Sequence, residues 1–300
     1  MCARSAQELL RRATSLWLVP TRAYLRRLGI DEALPPTLES LRLIHRRHQE
    51  HVPYETLGIM LGPAPSVDPA ASLERVGTLG RAGYCLHQNA TLEVVLRNLG
   101  FDVERRHGHV WTDPASRDGD ELNHLVLVVS GLPTADNPDG RWWPDVGLGE
   151  GFLEPLPLVV GDYHDGPFTY RINEITDDGW SYTNDPSGSF TGLEVTRRPT
   201  DPMAVLEAHT LLSTPPDGHF TRMMVVQRRD EAGLDTVRGC VHIRIDAAGR
   251  RTTDLTTYDE WRAALVDIGV SMEGIDDADL RRLWERSWES HEAWVAAGRP

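Results

Sequence analysis

The chain has 300 residues, with 31 Lys plus Arg against 45 Asp plus Glu, for a formal charge of −14 at pH 7. Every basic residue is arginine, so neither a lysine Schiff base nor a Walker-type phosphate loop can operate here. The acidic balance also speaks against nucleic acid or an anionic membrane as the main partner, since both reward a basic face.

A hydrophobic share of 40% with 25% charged residues suits an ordinary globular chain. No apolar run approaches the ~20 residues of a membrane span. Arg4, Arg11 and Arg12 are followed only by a broken apolar patch, Leu16 to Val19, where a secretory signal needs an unbroken one. Cys2, Cys85 and Cys240 form no pattern of pairs, which suits a reducing compartment. A cytoplasmic protein is expected.

Residues 5–60 read mainly as helices. Leu38, Leu41 and Ile44 recur at helical spacing after Thr37, a good N-cap, and Pro53 closes the segment that ends at His51. Pro63, Pro65 and Pro69 mark a loop before a second helical region. After the small, turn-like Gly80 to Tyr84, apolar residues from Leu86 to Leu99 predict a helix over Cys85 to Leu99, with Gly100 as its left-handed cap. Cys85 then lies in the first turn.

Beyond Phe101 the pattern changes to short runs broken by Gly, Pro, Asn and Asp: Asp102 to Trp111, Asn123 to Val129, Arg141 to Val146, Phe168 to Ile175 and Gly179 to Tyr182. Many short strands predict an antiparallel barrel or sandwich. Met203 to Leu212 reads as a helix, Arg222 to Arg228 and Gly239 to Ile245 as a strand pair, and Asp259 to Val266 and Asp277 to Trp294 as helices. The apolar stripe Leu280, Leu283, Trp284, Trp288 and Trp294 is expected to pack the last helix onto the body. His45, His48 and His51 share a three-residue spacing that turns them progressively apart on a helix, so packing is favoured over a metal site.

A thiol serves an enzyme as thiolate, and both a helix N-terminus and a nearby imidazole favour that form. Cys85 has the first device. His124 opens one predicted strand and Asp145 closes another, so strand pairing can bring an imidazole and a carboxylate together to supply the second. The expected constellation is Cys85, His124 and Asp145.

These residues sit in motifs. Arg81-Ala82-Gly83-Tyr84-Cys85-Leu86-His87-Gln88-Asn89 resembles the Arg-Gly-Gly-x-Cys-x-Glu-x-Asn of the arylamine N-acetyltransferase family. His124-Leu125-Val126 resembles its His-Leu-Val, and Asp145-Val146-Gly147-Leu148-Gly149 its Asp-Val-Gly-Phe-Gly. Upstream, Tyr24 to Gly29 and Pro53 to Leu57 match in order, as do Leu212 to Pro215 and Phe220 downstream.

The resemblance implies an α+β fold in three parts: a helical bundle over 1–100, an antiparallel β-barrel over 101–202 and an α/β lid over 203–300, with a papain-like Cys-His-Asp arrangement where they meet. It implies acetyl transfer from acetyl-CoA, as co-substrate, to an arylamine, arylhydrazine or N-hydroxyarylamine through an acyl-cysteine, with no bound cofactor and no metal. Amide synthesis in ansamycin-type polyketide assembly, or cysteine-dependent hydrolysis, are the alternatives on such a scaffold. By matching position Tyr54, Val110, Asn123 and Leu148 should line the substrate pocket, Gly147 and Gly149 should admit the CoA arm, and Arg81 and Glu55 should form a buried pair. The family's Glu and Arg are His87 and His109 here, which suggests an ion pair replaced at both ends.

Overall fold

The computed structural model describes residues 19–32, 34–216 and 218–299. Cys2, the N-terminal arginines and the patch beginning at Leu16 lie outside them. Helix α1 covers 19–27 and is followed by α2 (Leu38–His51), β1 (Tyr54–Glu55), α3 (Leu57–Leu61), α4 (Pro69–Leu79) and α5 (Cys85–Asn98). Thr37 caps α2 by accepting from the Ser40 N–H, and Asp68 caps α4 by accepting from Ala71. Leu41 and Ile44 of α2 meet Leu92, Val95 and Leu96 of α5 in one buried cluster with Tyr24 and Leu28. Gly100 ends the α5 segment at φ +92°, a left-handed geometry that favours glycine.

Eight antiparallel strands follow: β2 (Asp102–Trp111), β3 (His124–Ser130), β4 (Trp142–Trp143), β5 (Leu156–Pro157), β6 (Gly161–Asp165), β7 (Phe168–Ile175), β8 (Trp180–Thr183) and β9 (Gly192–Thr196). They form one sheet in the order β5-β4-β3-β2-β9-β8-β7-β6, a nearly closed barrel. Its interior is filled by Val126, Val128, Trp143, Phe168, Tyr170, Ile172, Tyr182 and Leu193. Leu127 and Val129, on the opposite face of β3, pack instead into the cluster around α5. Strand β3 is buried on both faces for that reason, which accounts for its unbroken apolar run.

The chain continues through α6 (Pro202–Ser213) and α7 (His219–Arg222) into β10 (Val225–Asp230), β11 (Gly233–Arg238), β12 (Val241–Asp246) and β13 (Gly249–Asp254), then α8 (Tyr258–Asp267) and α9 (Asp277–Ala296). The second sheet has the order β1-β10-β11-β12-β13, so Tyr54 and Glu55, far upstream, form its edge. The expected pairing of the segments around Arg222–Arg228 and Gly239–Ile245 does not occur, because β11 intervenes and hydrogen bonds to both neighbours. Its alternating Leu, Asp, Thr, Val sequence carried too weak an apolar signal to be read as a strand. Arg141 to Val146 is likewise shorter than expected: only Trp142 and Trp143 pair, and Pro144 and Asp145 turn out of the sheet.

On α9, Leu280 and Leu283 are buried with Trp261 and Tyr258, and Trp284 and Trp288 cover that cluster. Trp294 is 37% exposed at the end of the same stripe. Among the described residues no helix is long and apolar enough to cross a membrane.

Candidate active site

Cys85 is the first residue of α5, and its N-cap, Tyr84, makes no side-chain capping bond. No N-cap side chain therefore competes for the first N–H groups of the helix. The preceding loop is fixed by its backbone: the Glu55 N–H donates to Gly83 O at 3.1 Å, Gly83 bridges Tyr54, and the Arg75 guanidinium donates to Ala82 O. Gly83 has φ +112°, and a Cβ there would lie 2.5 Å from His87 Nδ1. A side chain at this position is both strained and blocked.

The Cys85 thiol donates to Asn123 O at 3.4 Å. Asn123 itself extends the β2 ladder through its side chain, accepting from Val110 N at 2.7 Å and donating to Val110 O at 2.9 Å. His124, next in the chain, is 2% exposed and opens β3 opposite Gly108. A Cβ on Gly108 would come within 2.8 Å of His124 O and 3.2 Å of its Cβ, so the glycine makes the room in which the imidazole stands.

Asp145 is fully buried and every polar atom it has is engaged. Oδ2 meets His124 Nε2 at 2.8 Å and accepts from Trp143 Nε1 at 3.1 Å. Oδ1 accepts from Asn89 Nδ2 and from Gly147 N, both at 2.9 Å. Its backbone N–H donates to His45 Nε2 at 3.0 Å and its carbonyl accepts from Gln49 Nε2 at 3.2 Å. His45 and Gln49 lie one turn apart on α2, so that helix grips the Asp145 peptide at both ends. Asn89, one turn after Cys85 on α5, ties that helix to the carboxylate and also accepts from Val146 N at 3.0 Å.

Electrostatics follow from this geometry. Burial alone lowers a histidine, but the Asp145 charge and hydrogen bond, with a further hydrogen bond to Cys85, outweigh it and push His124 up to about 10. Burial raises Asp145, and His124 with the Asn89 and Gly147 donors more than reverses that, leaving it below the ordinary carboxylate range. Cys240, buried among apolar residues, is pushed up to about 12.

Cys85 and His124 open onto a cleft of about 770 Å³ between the barrel and the second sheet. Tyr54, Val110, Asn123, Gly147 and Leu148 line it. Gly149 stands behind the wall. A Cβ on Gly149 would lie 2.3 Å from Gln227 Oε1, and one on Gly147 would lie 3.0 Å from the Cys85 Cα and carbonyl oxygen. Protein atoms already stand where a side chain would begin at both positions, which favours glycine there. Leu212 and Phe220, from α6 and α7, close one end.

Two expectations are corrected. Glu55 and Arg81 form no ion pair: the Glu55 carboxylate accepts from Gly58 N at 3.2 Å, while Arg81 donates to Glu273 O at 2.8 Å. Burial raises the Glu55 carboxyl, and Arg81 opposes that only through its more distant charge. Nor do His87 and His109 meet. His87 Nε2 is bonded to Pro65 O at 3.1 Å with its ring against Tyr84 and His209, whereas both nitrogens of His109 face carbonyls, Ser116 O at 2.8 Å and Glu121 O at 3.2 Å. Of the histidines spaced along α2, His45 and His48 are fully buried hydrogen-bonding groups, while His51 is exposed. His45, Gln49, Trp143 and Gly108 escaped sequence reasoning; polar residues at i and i+4 on the apolar face of α2 were the available signal.

A thiol at a helix N-terminus, with an imidazole and buried carboxylate behind it, is chemically able to carry an acyl group on sulfur. The comparisons carry this further. The N-acetyltransferase family model matches residues 37–273. The arylamine N-acetyltransferase of Mycolicibacterium smegmatis is 30% identical over 262 residues, 86% of this chain and 92% of that protein, and a solved M. smegmatis structure agrees at TM-score 0.76 with 26% identity, covering 89% and 97% of the two chains. The Salmonella typhimurium arylamine N-acetyltransferase / N-hydroxyarylamine O-acetyltransferase is 34% identical over 138 residues, 45% of this chain and about half of that one (46%). The Mycobacterium marinum enzyme, solved in complex with CoA, shares the fold at TM-score 0.76 with 23% identity over 89% and 98% of the chains. The protein is an acetyltransferase. It belongs to the arylamine N-acetyltransferase family.

Proposed function

We propose that this chain moves an acetyl group from acetyl-CoA to an arylamine, arylhydrazine or N-hydroxyarylamine by a ping-pong route, with Cys85, His124 and Asp145 as its papain-like catalytic triad. The observation that carries the reading is His124, fixed through Nε2 by Asp145 at 2.8 Å and facing the thiol with its other side. With the proton already held on the His124 imidazolium, Sγ attacks the thioester carbonyl as the thiolate. The carbon–sulfur bond to CoA breaks, and the CoA sulfur leaves as the thiol with the proton from His124. One thioester replaces another, so the acetyl group on Cys85 stays reactive. The acceptor nitrogen then attacks it, giving a proton to His124 as the Cys85 sulfur departs. Backbone N–H groups at the start of α5 are suited to the oxyanion in both halves.

The same reading assigns the helical part to 1–100, the barrel to 101–202 and the lid to 203–300, with the cleft at their junction, and small molecules as partners. Free Cys85 and Cys240 suit a cytoplasmic setting.

The test is acetylation of an aniline or a hydrazine with matched release of free CoA. Cys85→Ala should lose about 10³-fold or more of the rate. Wild-type turnover in that variant would overturn the assignment, and peptide or amide cleavage without CoA release would move it to hydrolysis.

A further inference from the structure

Tyr84, the residue before Cys85, is fully buried, with its ring centroid 5.0 Å from those of His87 and Phe220 and 5.9 Å from that of His209. A buried phenol needs a partner for its O–H. That partner is His209 Nδ1, 2.8 Å away on α6. Burial lowers His209, a bond to the Pro65 carbonyl opposes this and the Arg75 charge adds to it, so the ring is neutral. A carbonyl can only accept, so the one ring hydrogen faces Pro65 and Nδ1 is left to accept from Tyr84. The same carbonyl meets His87 Nε2 at 3.1 Å.

Helix α6 begins at Asp201, whose side chain accepts from the Met203 and Ala204 N–H groups. Its Val205 and Ala208 share a buried cluster with Tyr84, Cys85 and Leu86. Such apolar contacts press α6 onto the start of α5 without fixing a direction. The Tyr84–His209 bond has a direction. On its other side Tyr84 opens α5, its carbonyl accepting from the His87 and Gln88 N–H groups. One residue thus has its side chain tied to α6 and its backbone tied to the first turn that carries Cys85.

We propose that His209 is a positioning residue for the reaction: by accepting the Tyr84 hydroxyl it sets where Cys85 stands relative to His124. This rests on the acyl-transfer reading above. A misplacement of about 1 Å at a reacting group can cost on the order of 10²-fold in rate.

The experiment uses isosteres. In His209→Asn the amide oxygen takes the place of Nδ1 and still accepts, whereas His209→Leu puts a methyl there. Tyr84→Phe removes the hydroxyl and keeps the ring packing. Single-turnover acetylation at saturating acetyl-CoA should fall about tenfold in His209→Leu and in Tyr84→Phe, and no further in the double variant. His209→Asn should stay within about threefold of wild type, and CoA binding within about twofold throughout. Without acetyl-CoA, the pH midpoint of Cys85 alkylation by iodoacetamide should rise by about half a unit or more in the two slow variants, as the sulfur leaves the imidazole.

A wild-type rate in Tyr84→Phe overturns the proposal whether or not His209→Leu folds. So does a His209→Asn protein as slow as His209→Leu, or a double variant slowed by the product of the two single effects. A rate loss with no movement of the alkylation midpoint also overturns it, because Cys85 has then kept its place. If acetyl-CoA labels none of the proteins, wild type included, the reaction assignment fails and the alkylation midpoints alone decide the role of His209.

Discussion

At the scale of single residues, the site is organised around one carboxylate. Asp145 makes four side-chain hydrogen bonds while its backbone is held by His45 and Gln49, so it has no freedom to leave His124. This has a consequence for stability. His124 is raised from an unfolded value near ~6.5 to about 10, so its contribution is complete below ~6.5 and is lost as pH rises through about 10. Asp145 is shifted down, so its contribution is present above ~3.9 and is lost only as pH falls through its lower folded value. Chemical denaturation of wild type should therefore lose on the order of a few kcal/mol between about pH 7 and pH 10. In Asp145→Asn only burial and the thiol act on His124, and that decline should flatten. Buried Cys240 and the buried tyrosines also weaken the fold as pH rises, so the difference between the two curves is what reports on His124, and no lysine adds to it. Parallel pH curves for the two proteins would show that the imidazole is not charged in the fold.

At the scale of elements, the site depends on how closely α5 approaches the turn after β4. Gly147 sets that distance: a Cβ would lie 2.9 Å from Asn89 Nδ2 and 3.0 Å from the Cys85 backbone. Backbone cannot swing aside as the end of a long side chain can. Gly147→Ala should cost about 1–3 kcal/mol in urea titration and also slow alkylation of Cys85, because the clash moves α5 away from Asp145. Unchanged stability with unchanged thiol reactivity would mean that the turn is more compliant than its contacts suggest. Helices α2 and α5 are legible in the amino-acid sequence, since Thr37, Gly100 and the apolar spacing each bear on local geometry. Strand β11 is not, because its stability comes from partners on both sides rather than from its own pattern. The edge formed by Tyr54 and Glu55 is hidden for the same reason: the partner, Val226 and Gln227, lies far along the chain.

At the scale of the whole molecule, three distant stretches converge on one sulfur. Cys85 comes from the helical region, His124 and Asp145 from the barrel, and the opposite wall of the cleft from Gln227, Thr236 and Ile243 of the second sheet. Cys85, His124 and Asp145 were legible as neighbours because each lies in a short motif with its own chemistry. Their supports were not. His45 and Gln49 look like any polar residues on a helix, and only the folded chain shows that they face the Asp145 peptide. The misread Glu55–Arg81 pair shows the limit from the other side: two charges in matching motifs need not touch, and here each hydrogen bonds to a backbone group instead. Mass spectrometry of the protein after brief exposure to acetyl-CoA tests the central claim most directly. One acetyl group should appear on the peptide that holds Cys85, with none on Cys240, and an added arylamine should remove it as the acetylated amine forms. A protein that stays unlabelled while it acetylates the amine, or that carries the acetyl group elsewhere, would contradict transfer through Cys85.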